Sequence, residues 1–315
     1  MSWISPFAMN RMGLLNMNKR NVDYISRYNE RSSYPLVDNK LKTKLVAAEY
    51  EVKTPRLLQV VRQQHEISHF RERADALGGF AIKPAKGSGG KGILVIIRRE
   101  GDHYIKASGA AVTVAALERH LSNILAGLYS LGGAPDVAIV ENLVESSPSL
   151  AKYSFQGVPD IRIVVFQGYP VMAMLRLATK ASDGKANLHQ GAVGVGLNIA
   201  NGRSLNSVQF NRPITLHPDT GLSLENIVIE NWEHMLHMAA HCYEATGLGY
   251  MGVDLVLDAQ EGPLLLELNA RPGLAIQMAN GRGLLPRLRA VEALKRPHFR
   301  PEKRVQFVIK EFKDL

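Results

Sequence analysis

M-G-V-D-L-V-L-D-A-Q-E-G-P-L-L-L-E-L-N-A-R-P-G, residues 251–273, is the stretch on which the fold turns. It reads as two short strands joined by a turn. Val253, Leu255 and Leu257 alternate with Asp254 and Val256, and Leu264, Leu266 and Leu268 alternate with Leu265, Glu267 and Asn269. Side chains alternate faces along a strand, so Glu267 and Asn269 share a face. The turn falls at Ala259-Gln260-Glu261-Gly262, where glycine supplies a backbone angle other residues avoid. If the hairpin is symmetric about that turn, Asp254 lies opposite Glu267. Facing carboxylates on an apolar ladder repel, and a divalent cation relieves that cost. Asp254, Glu267 and Asn269 together offer hard oxygen donors of the kind magnesium takes while keeping places for phosphate and water. Either acid alone is as readily an ordinary solvated strand residue. The facing pair with Asn269, set in apolar strands, is what points to a metal.

The rest of the chain bounds the class. With 315 residues, 46% of them hydrophobic, there is enough material for more than one lobe. A charged fraction of 21% excludes a disordered chain, and the net charge of +9 asks for an anionic partner without choosing among nucleotide, acidic substrate, nucleic acid and acidic membrane. The single cysteine, Cys242, excludes an intrachain disulfide and fits a reducing compartment. No apolar run is long enough to span a bilayer. Trp3, Ile4 and Phe7 are interrupted by Pro6 and Asn10, a poor signal peptide, so the expected location is cytoplasmic.

Residues up to Tyr34 read as helical without evident chemistry. V-D-N-K-L-K-T-K-L-V-A-A-E-Y reads as a helix capped by Asp38 or Asn39, with Leu41, Leu45 and Ala48 as its apolar stripe and Lys40, Lys42 and Lys44 as a solvated face. Residues 57–77 read as a second charged helix. In F-A-I-K-P-A-K-G-S-G-G-K-G-I-L-V-I-I, Gly87, Gly89 and Gly92 satisfy G-x-G-x-x-G, but an aliphatic run follows where a dinucleotide fold needs a helix. Gly92 after Lys91 also excludes the phosphate loop G-x-x-x-x-G-K-[ST]. What remains is a glycine hairpin able to fold over nucleotide phosphates, with Lys83 on the entering strand. V-A-I-V-E-N-L-V is a strand that turns polar at Glu141 and Asn142, as an interlobe hinge would. Asp160-Ile161-Arg162 opens a second hairpin that turns at Gln167-Gly168 and returns through Arg176. Residues 179–196, with N-L-H-Q-G at 187–191, read as a mobile lid, and 198–223 as an irregular insert. Residues 231–246 form an amphipathic helix stopped by Gly247. V-Q-F-V-I near the end reads as a strand.

This order of parts resembles the ATP-grasp superfamily. I-K-P…G-S-G-G-K-G, D-I-R, N-L-H-Q-G, G-V-D and E-L-N-A-R-P-G-L look most like the blocks of carboxylate–amine ligases of the α-L-glutamate ligase type, the ribosomal-protein glutamate ligase among them. The resemblance implies an α+β ATP-grasp fold, two lobes with antiparallel sheets enclosing ATP. It implies a reduced N-terminal segment over 1–38, a small lobe with the glycine hairpin over 39–140, and a large lobe with the metal site and a C-terminal extension over 141–315. It assigns the nucleotide to Lys40, Lys83, Gly87, Ser88, Gly89, Gly90, Lys91, Gly92, Glu141, Asn142, Leu143, Val144, Asp160, Lys185 and Asn187. Magnesium, with manganese as the alternative, goes to Asp254, Glu267 and Asn269. Arg162, Arg176 and Arg271 become the cations for the transferred phosphate or acyl phosphate. The implied reaction joins a carboxylate to an amine through an acyl phosphate, glutamate addition to a peptide or protein being the family's form. A kinase on the same fold and a non-catalytic ATP-binding regulator are the alternatives. The implied partners are a small-molecule or peptide carboxylate and an amine acceptor; nucleic acid and membrane are not expected. The sequence departs from the family in the short stretch before Lys40, in extra residues around 99–136 and 199–229, and in Arg271, where the ribosomal-protein enzyme has a small residue.

Overall fold

The structure, a computed structural model, describes residues 11–313 except Asp75 and Ser88. Ser88 in the glycine hairpin and the apolar residues Trp3, Ile4 and Phe7 therefore lie outside the described residues. The chain divides into two units. The smaller comprises Asp38–Leu45 and Thr54–Val144; the larger holds the described residues up to Val37, Val46–Lys53, and those from Glu145 onward. Each unit has one antiparallel sheet, so the fold is α+β.

The smaller unit is built on strands β1 (Leu57–Val61), β2 (Phe80–Pro84), β3 (Leu94–Glu100), β4 (His103–Lys106), β5 (Ala111–Thr113) and β6 (Ala138–Asn142), in the order β1-β6-β2-β3-β4-β5. Helices Glu66–Ala74 and Val114–Leu125 accompany this sheet, and Phe70, Phe80, Ile82, Ile96, Tyr104, Leu117, Leu121 and Ile124 form its core. The sequence expectation of one helix over residues 57–77 is corrected here. Leu57–Val61 is a strand paired with β6, and the helix begins only at Glu66, whose carboxylate accepts from the backbone N–H groups of Arg62 and Gln63. A short run of Leu, Gln and Val fits a half-buried strand as well as a helix, and pairing decides it.

The larger unit contains β7 (Asp160–Phe166), β8 (Tyr169–Leu177), β9 (Val193–Leu197), β10 (Ser204–Gln209), β11 (Arg212–Pro213), β12 (Tyr250–Asp258) and β13 (Gly262–Asn269), ordered β11-β10-β9-β8-β7-β12-β13. Gln167 and Gly168 both take positive φ, the geometry of a two-residue hairpin turn between β7 and β8. The helix Trp232–Thr246 buries Trp232, Met235, Leu236 and Ala239 and ends at Gly247 in the left-handed conformation, as its pattern predicts. Cys242 is buried in the core.

Three further expectations change. Residues 193–196, read as part of a mobile lid, lie in the fully buried strand β9. The loop before it is tied by Thr179 Oγ1 to the Gly191 carbonyl, at 2.9 Å, and by the Lys180 N–H to Asp219 Oδ2, at 2.7 Å. The insert is not irregular throughout: it carries the β10–β11 hairpin. Residues 305–309 lie in the helix Pro301–Glu311, with Val305, Val308 and Phe312 buried at helical spacing and Pro301 at its first turn.

Candidate functional site

In the smaller unit, three side chains converge. Glu141 at the end of β6 is buried, and one carboxylate oxygen pairs with Lys83 of β2 at 2.6 Å. The other pairs with Lys44 at 3.0 Å. Lys44 also donates to Thr54 Oγ1, at 3.0 Å, and to the Pro55 carbonyl. The helix Lys40–Glu49 is capped by Asn39 as expected, its Oδ1 accepting from the N–H groups of Leu41 and Lys42. Its buried face is a correction, however: Thr43, Lys44 and Ala47 are buried, whereas Leu45 is 58% exposed. An ammonium with a buried carboxylate and two oxygens to satisfy outcompetes a leucine stripe. Lys44 is thus the residue the sequence reading missed. Its only signal was position, four residues after Lys40 and one turn further along the same helical face.

Burial, the strongest influence, pushes the Glu141 carboxyl up, but Lys83 and Lys44 more than reverse it and hold the group below the usual glutamate range. Burial lowers the Lys44 ammonium, with Glu141 opposing. Lys40 donates from Nζ to the Gly87 carbonyl at 2.6 Å, tying its helix to the glycine hairpin. Asn142 accepts from Arg56 at 3.2 Å, and Leu143 and Val144 are half-buried beyond it.

The glycine hairpin joins β2 to β3, strand to strand as expected. Its glycines divide by position. A Cβ on Gly87 would meet Pro84 Cγ at 2.3 Å, and one on Gly92 would meet the Tyr129 ring at 2.5 Å. Gly89 and Gly90, at φ +62° and +75°, have open space around the missing Cβ, and Lys91 beside them is exposed. Packing fixes the base of the hairpin, while the tip presents bare backbone of the kind that can approach phosphate oxygens closely.

In the larger unit, the facing of Asp254 and Glu267 is met, by a route the pattern did not show. Near the turn, Asp258 pairs with Gly262 and Leu255 with Leu265; a register irregularity then brings Asp254 opposite Glu267 and Gly252 opposite Asn269. Uninterrupted pairing from that turn would have set Asp254 against Leu266. Such a bulge re-aims side chains, and bulges concentrate near functional sites.

Asp254 is only 3% exposed and lies among cations. Arg162, its neighbour on β7, donates Nε to Oδ1 at 2.7 Å and Nη2 to Oδ2 at 2.5 Å. Arg176 donates Nη2 to Asp254 Oδ2 at 2.8 Å and also grips both oxygens of Asp160, its partner across β7 and β8. Asn269 donates Nδ2 to the same Asp254 oxygen at 3.2 Å. Burial pushes Asp254 up, but Arg162 and Arg176 overcome it and hold the carboxyl below the usual aspartate range. Burial, with the negative charge of Asp254 adding, pushes Asp160 above the usual aspartate range against the pull of Arg176. The repulsion expected between Asp254 and Glu267 is therefore already offset by two guanidiniums.

By charge this donor set suits a metal, which would share Asp254 oxygens that already accept from Arg162, Arg176 and Asn269. Asp160, Asp254 and Glu267 set three carboxylates against two guanidiniums, which leaves one formal negative charge among the five groups. Rotation of the Asn269 amide would present its oxygen in place of its nitrogen. Among the described residues no group of three or more His, Cys, Asp or Glu could hold a metal ion. An ion here would take two carboxylates and one amide oxygen, with phosphate and water completing its shell, the usual style of a nucleotide-bound magnesium.

The other expected residues have local contacts of their own. The Arg271 guanidinium stacks over the Tyr34 ring at 5.3 Å. Lys185 pairs with Asp183 at 3.2 Å, and Asn187 Oδ1 accepts from the His189 N–H at 3.0 Å, capping a short turn.

The family model described as sugar-transfer associated ATP-grasp matches residues 19–293. The chain belongs to this ATP-grasp family. No curated protein sequence matches the chain. Among solved ATP-grasp structures, the ligase PsnB with its minimal precursor is 15% identical, with a TM-score of 0.43 over 84% of this chain and 62% of PsnB. The D-alanyl-alanine synthetase A of Vibrio cholerae is 12% identical, with a TM-score of 0.49 over 90% of this chain and 67% of that one. The D-cycloserine synthetase DcsG is 15% identical, with a TM-score of 0.47 over 82% and 70%. The chain thus spans about three-fifths of the length of PsnB.

Proposed function

We propose that this ATP-grasp chain is an ADP-forming carboxylate–amine ligase. The observation that carries the reading is buried Asp254, held by Arg162 and Arg176 and faced by the half-buried Glu267, with Asn269 donating to it, in a chain of a family named for ATP. The carboxylate oxygen of one substrate attacks the γ-phosphorus of ATP, the bond to the β-phosphate oxygen breaks, and ADP leaves. The amine nitrogen of the second substrate then attacks the acyl carbon, inorganic phosphate leaves, and the nitrogen loses a proton. A carboxylate needs this activation because its own oxygen is a poor leaving group.

Asp254, Glu267 and Asn269 would hold magnesium, or manganese, which supplies charge neutralisation at the phosphates. Lys83 and the glycine tip, Gly89 to Lys91, bind and orient the phosphates. Glu141 and Asn142, followed by Leu143 and Val144, receive the adenine end. Arg162 and Arg176 keep Asp254 ionised and fixed, and so act here as positioning residues. Of the three arginines, Arg271, exposed and stacked on Tyr34, is the one proposed to meet a substrate carboxylate or phosphate. The finer form, glutamate added to a peptide or protein, follows from the sequence resemblance. A kinase acting on a hydroxyl and an ATP-binding regulator are the competing readings.

ADP release with Mg-ATP, with hydroxylamine present and a panel of carboxylic acids that includes glutamate-ended peptides, tests this. A hydroxamate formed with one acid, and lost in Asp254→Asn or Glu267→Gln, is the expected result and names the acid. ADP release driven by an alcohol without hydroxamate would replace the ligase with a kinase. Saturable Mg-ATP binding without turnover across the panel would favour the regulator.

A further inference from the structure

Residues 295–304, K-R-P-H-F-R-P-E-K-R, run from the connection after the helix Leu285–Glu292 into the first turn of the helix Pro301–Glu311, and nothing in the ATP chemistry uses them. Phe299 at their centre is 91% exposed. A single exposed phenylalanine is ordinary on a protein surface. This one differs in how it is held and in what surrounds it.

The backbone that carries it is clamped. Arg304, itself buried, donates Nε to the His298 carbonyl at 2.8 Å and Nη2 to the Phe299 carbonyl at 2.9 Å. The same guanidinium pairs with Glu244 and lies over the Tyr243 ring at 5.1 Å. The His298 N–H donates to Tyr169 Oη at 2.8 Å, and the His298 ring nitrogen Nδ1 lies 2.9 Å from the same hydroxyl. Pro297 and Pro301 stiffen the segment on either side. A buried cation, a tyrosine and two prolines thus hold an apolar ring out into water.

Flanking Phe299 in the chain, Lys295, Arg296, Arg300 and Lys303 are exposed, against one exposed acid in the segment, Glu302. An apolar point inside a basic collar complements an anionic surface that has an apolar layer beneath its charge. We propose that residues 295–303 dock this chain on an anionic lipid surface, Phe299 entering between headgroups and the four cations facing lipid phosphates. A single-stranded nucleic acid is the less suited occupant, because such strands run in grooves lined by several aromatic platforms and Phe299 projects alone. A second copy of this chain would bring an equally basic collar against the first. The inference departs from the expectation that no membrane is involved, which rested on the lack of a spanning run. Among the described residues no helix is long and apolar enough to cross a membrane, and surface docking requires none.

Vesicle sedimentation of the full chain provides the test. Binding is expected to vesicles containing phosphatidylserine, not to pure phosphatidylcholine, and to fall as salt rises. Each cation near such a surface is worth about fivefold in binding, so Arg296→Ser, Arg300→Ser and Lys303→Ser together should weaken it by about a hundredfold. Phe299→Ser should weaken it by roughly tenfold. None of these side chains is buried, so thermal unfolding should be unchanged and the loss is not one of folding. Phe299→Cys carrying a polarity-sensitive dye reads insertion directly. The native Cys242 is buried, with its thiol pushed up to about 12 by burial and so poorly reactive. A blue shift with anionic vesicles supports the proposal. Equal binding to neutral vesicles, binding unaltered in both variants, a shift seen only with single-stranded oligonucleotide, or one that follows protein concentration without lipid would each overturn it.

Discussion

Lys44 takes one oxygen of Glu141 and Lys83 the other, so a single buried carboxylate fixes two ammonium groups whose sequence spacing gives no hint that they meet. Removing one partner of a buried ion pair leaves an uncompensated charge. Lys44→Met should therefore cost roughly 3 kcal/mol in urea unfolding, whereas Lys44→Arg, which keeps the charge, should cost less. The pH dependence has a definite sign. Glu141 lies below the ordinary glutamate value of 4.5 when folded, so it contributes stability above that value and loses it as pH falls through the folded one. Glu141→Gln should flatten that part of the acid limb in a series of unfolding curves taken down to about pH 3. An unaltered acid limb would mean that Glu141 is not the group held low. The same reasoning separates Arg162 and Arg176 from Arg271. The first two are committed to Asp254 and Asp160, so their loss should appear in stability as well as turnover; Arg271→Ala should leave stability within about 0.5 kcal/mol.

At the scale of elements, the glycine hairpin separates packing from function. Gly92→Ala drives a methyl group into the Tyr129 ring at a φ of +76° and should destabilise the smaller unit by more than about 2 kcal/mol. Gly90→Ala meets nothing within 4 Å and carries only the left-handed backbone cost, about 1 kcal/mol, so its effect should appear instead as a raised KM for ATP. Equal stability loss in the two variants would show that the tip is packed as well. Elements were legible in the sequence where period and turn chemistry agreed: the β7–β8 hairpin through Gln167-Gly168, the helix before Gly247, and the strand–loop–strand at the glycines. They were not legible where a tertiary partner decided. Leu57–Val61 became a strand because β6 offered it an edge, and residues 305–309 became helix because Val305, Val308 and Phe312 had a core to face. The site hairpin falls between these cases. Its pairing of Asp254 with Glu267 could be read, but the irregularity after Leu255 that produces it could not, since a bulge is set by backbone pairing and leaves no mark in the alternation of residue types.

Over the whole molecule the two units keep separate cores, one around Phe70, Phe80 and Tyr104, the other around the seven-stranded sheet. The described N-terminal residues belong with the larger unit, and particular contacts explain why. Tyr24 and Tyr28 set their rings edge-on against Phe166, with centroids at 5.5 and 4.9 Å. Asn29, buried, accepts from the Tyr250 N–H through Oδ1 at 2.7 Å and donates Nδ2 to the Tyr250 carbonyl at 2.7 Å. One amide thus completes both backbone groups at the first residue of β12, the strand that carries Asp254 four residues on. Asn29→Ala would strand a buried donor and a buried acceptor, at about 1–3 kcal/mol each. Because the cores are distinct, unfolding should follow each unit's own stability rather than one all-or-none transition. Calorimetry should show Asn29→Ala lowering the transition of the larger unit while leaving that of the smaller, and Gly92→Ala doing the reverse. A single transition lowered by both would mean that the two cores unfold as one. If Asn29→Ala lowers its transition and also weakens Mg-ATP binding while the protein remains folded, then the N-terminal segment helps to hold β12, and through it Asp254, in the register that the proposed chemistry requires.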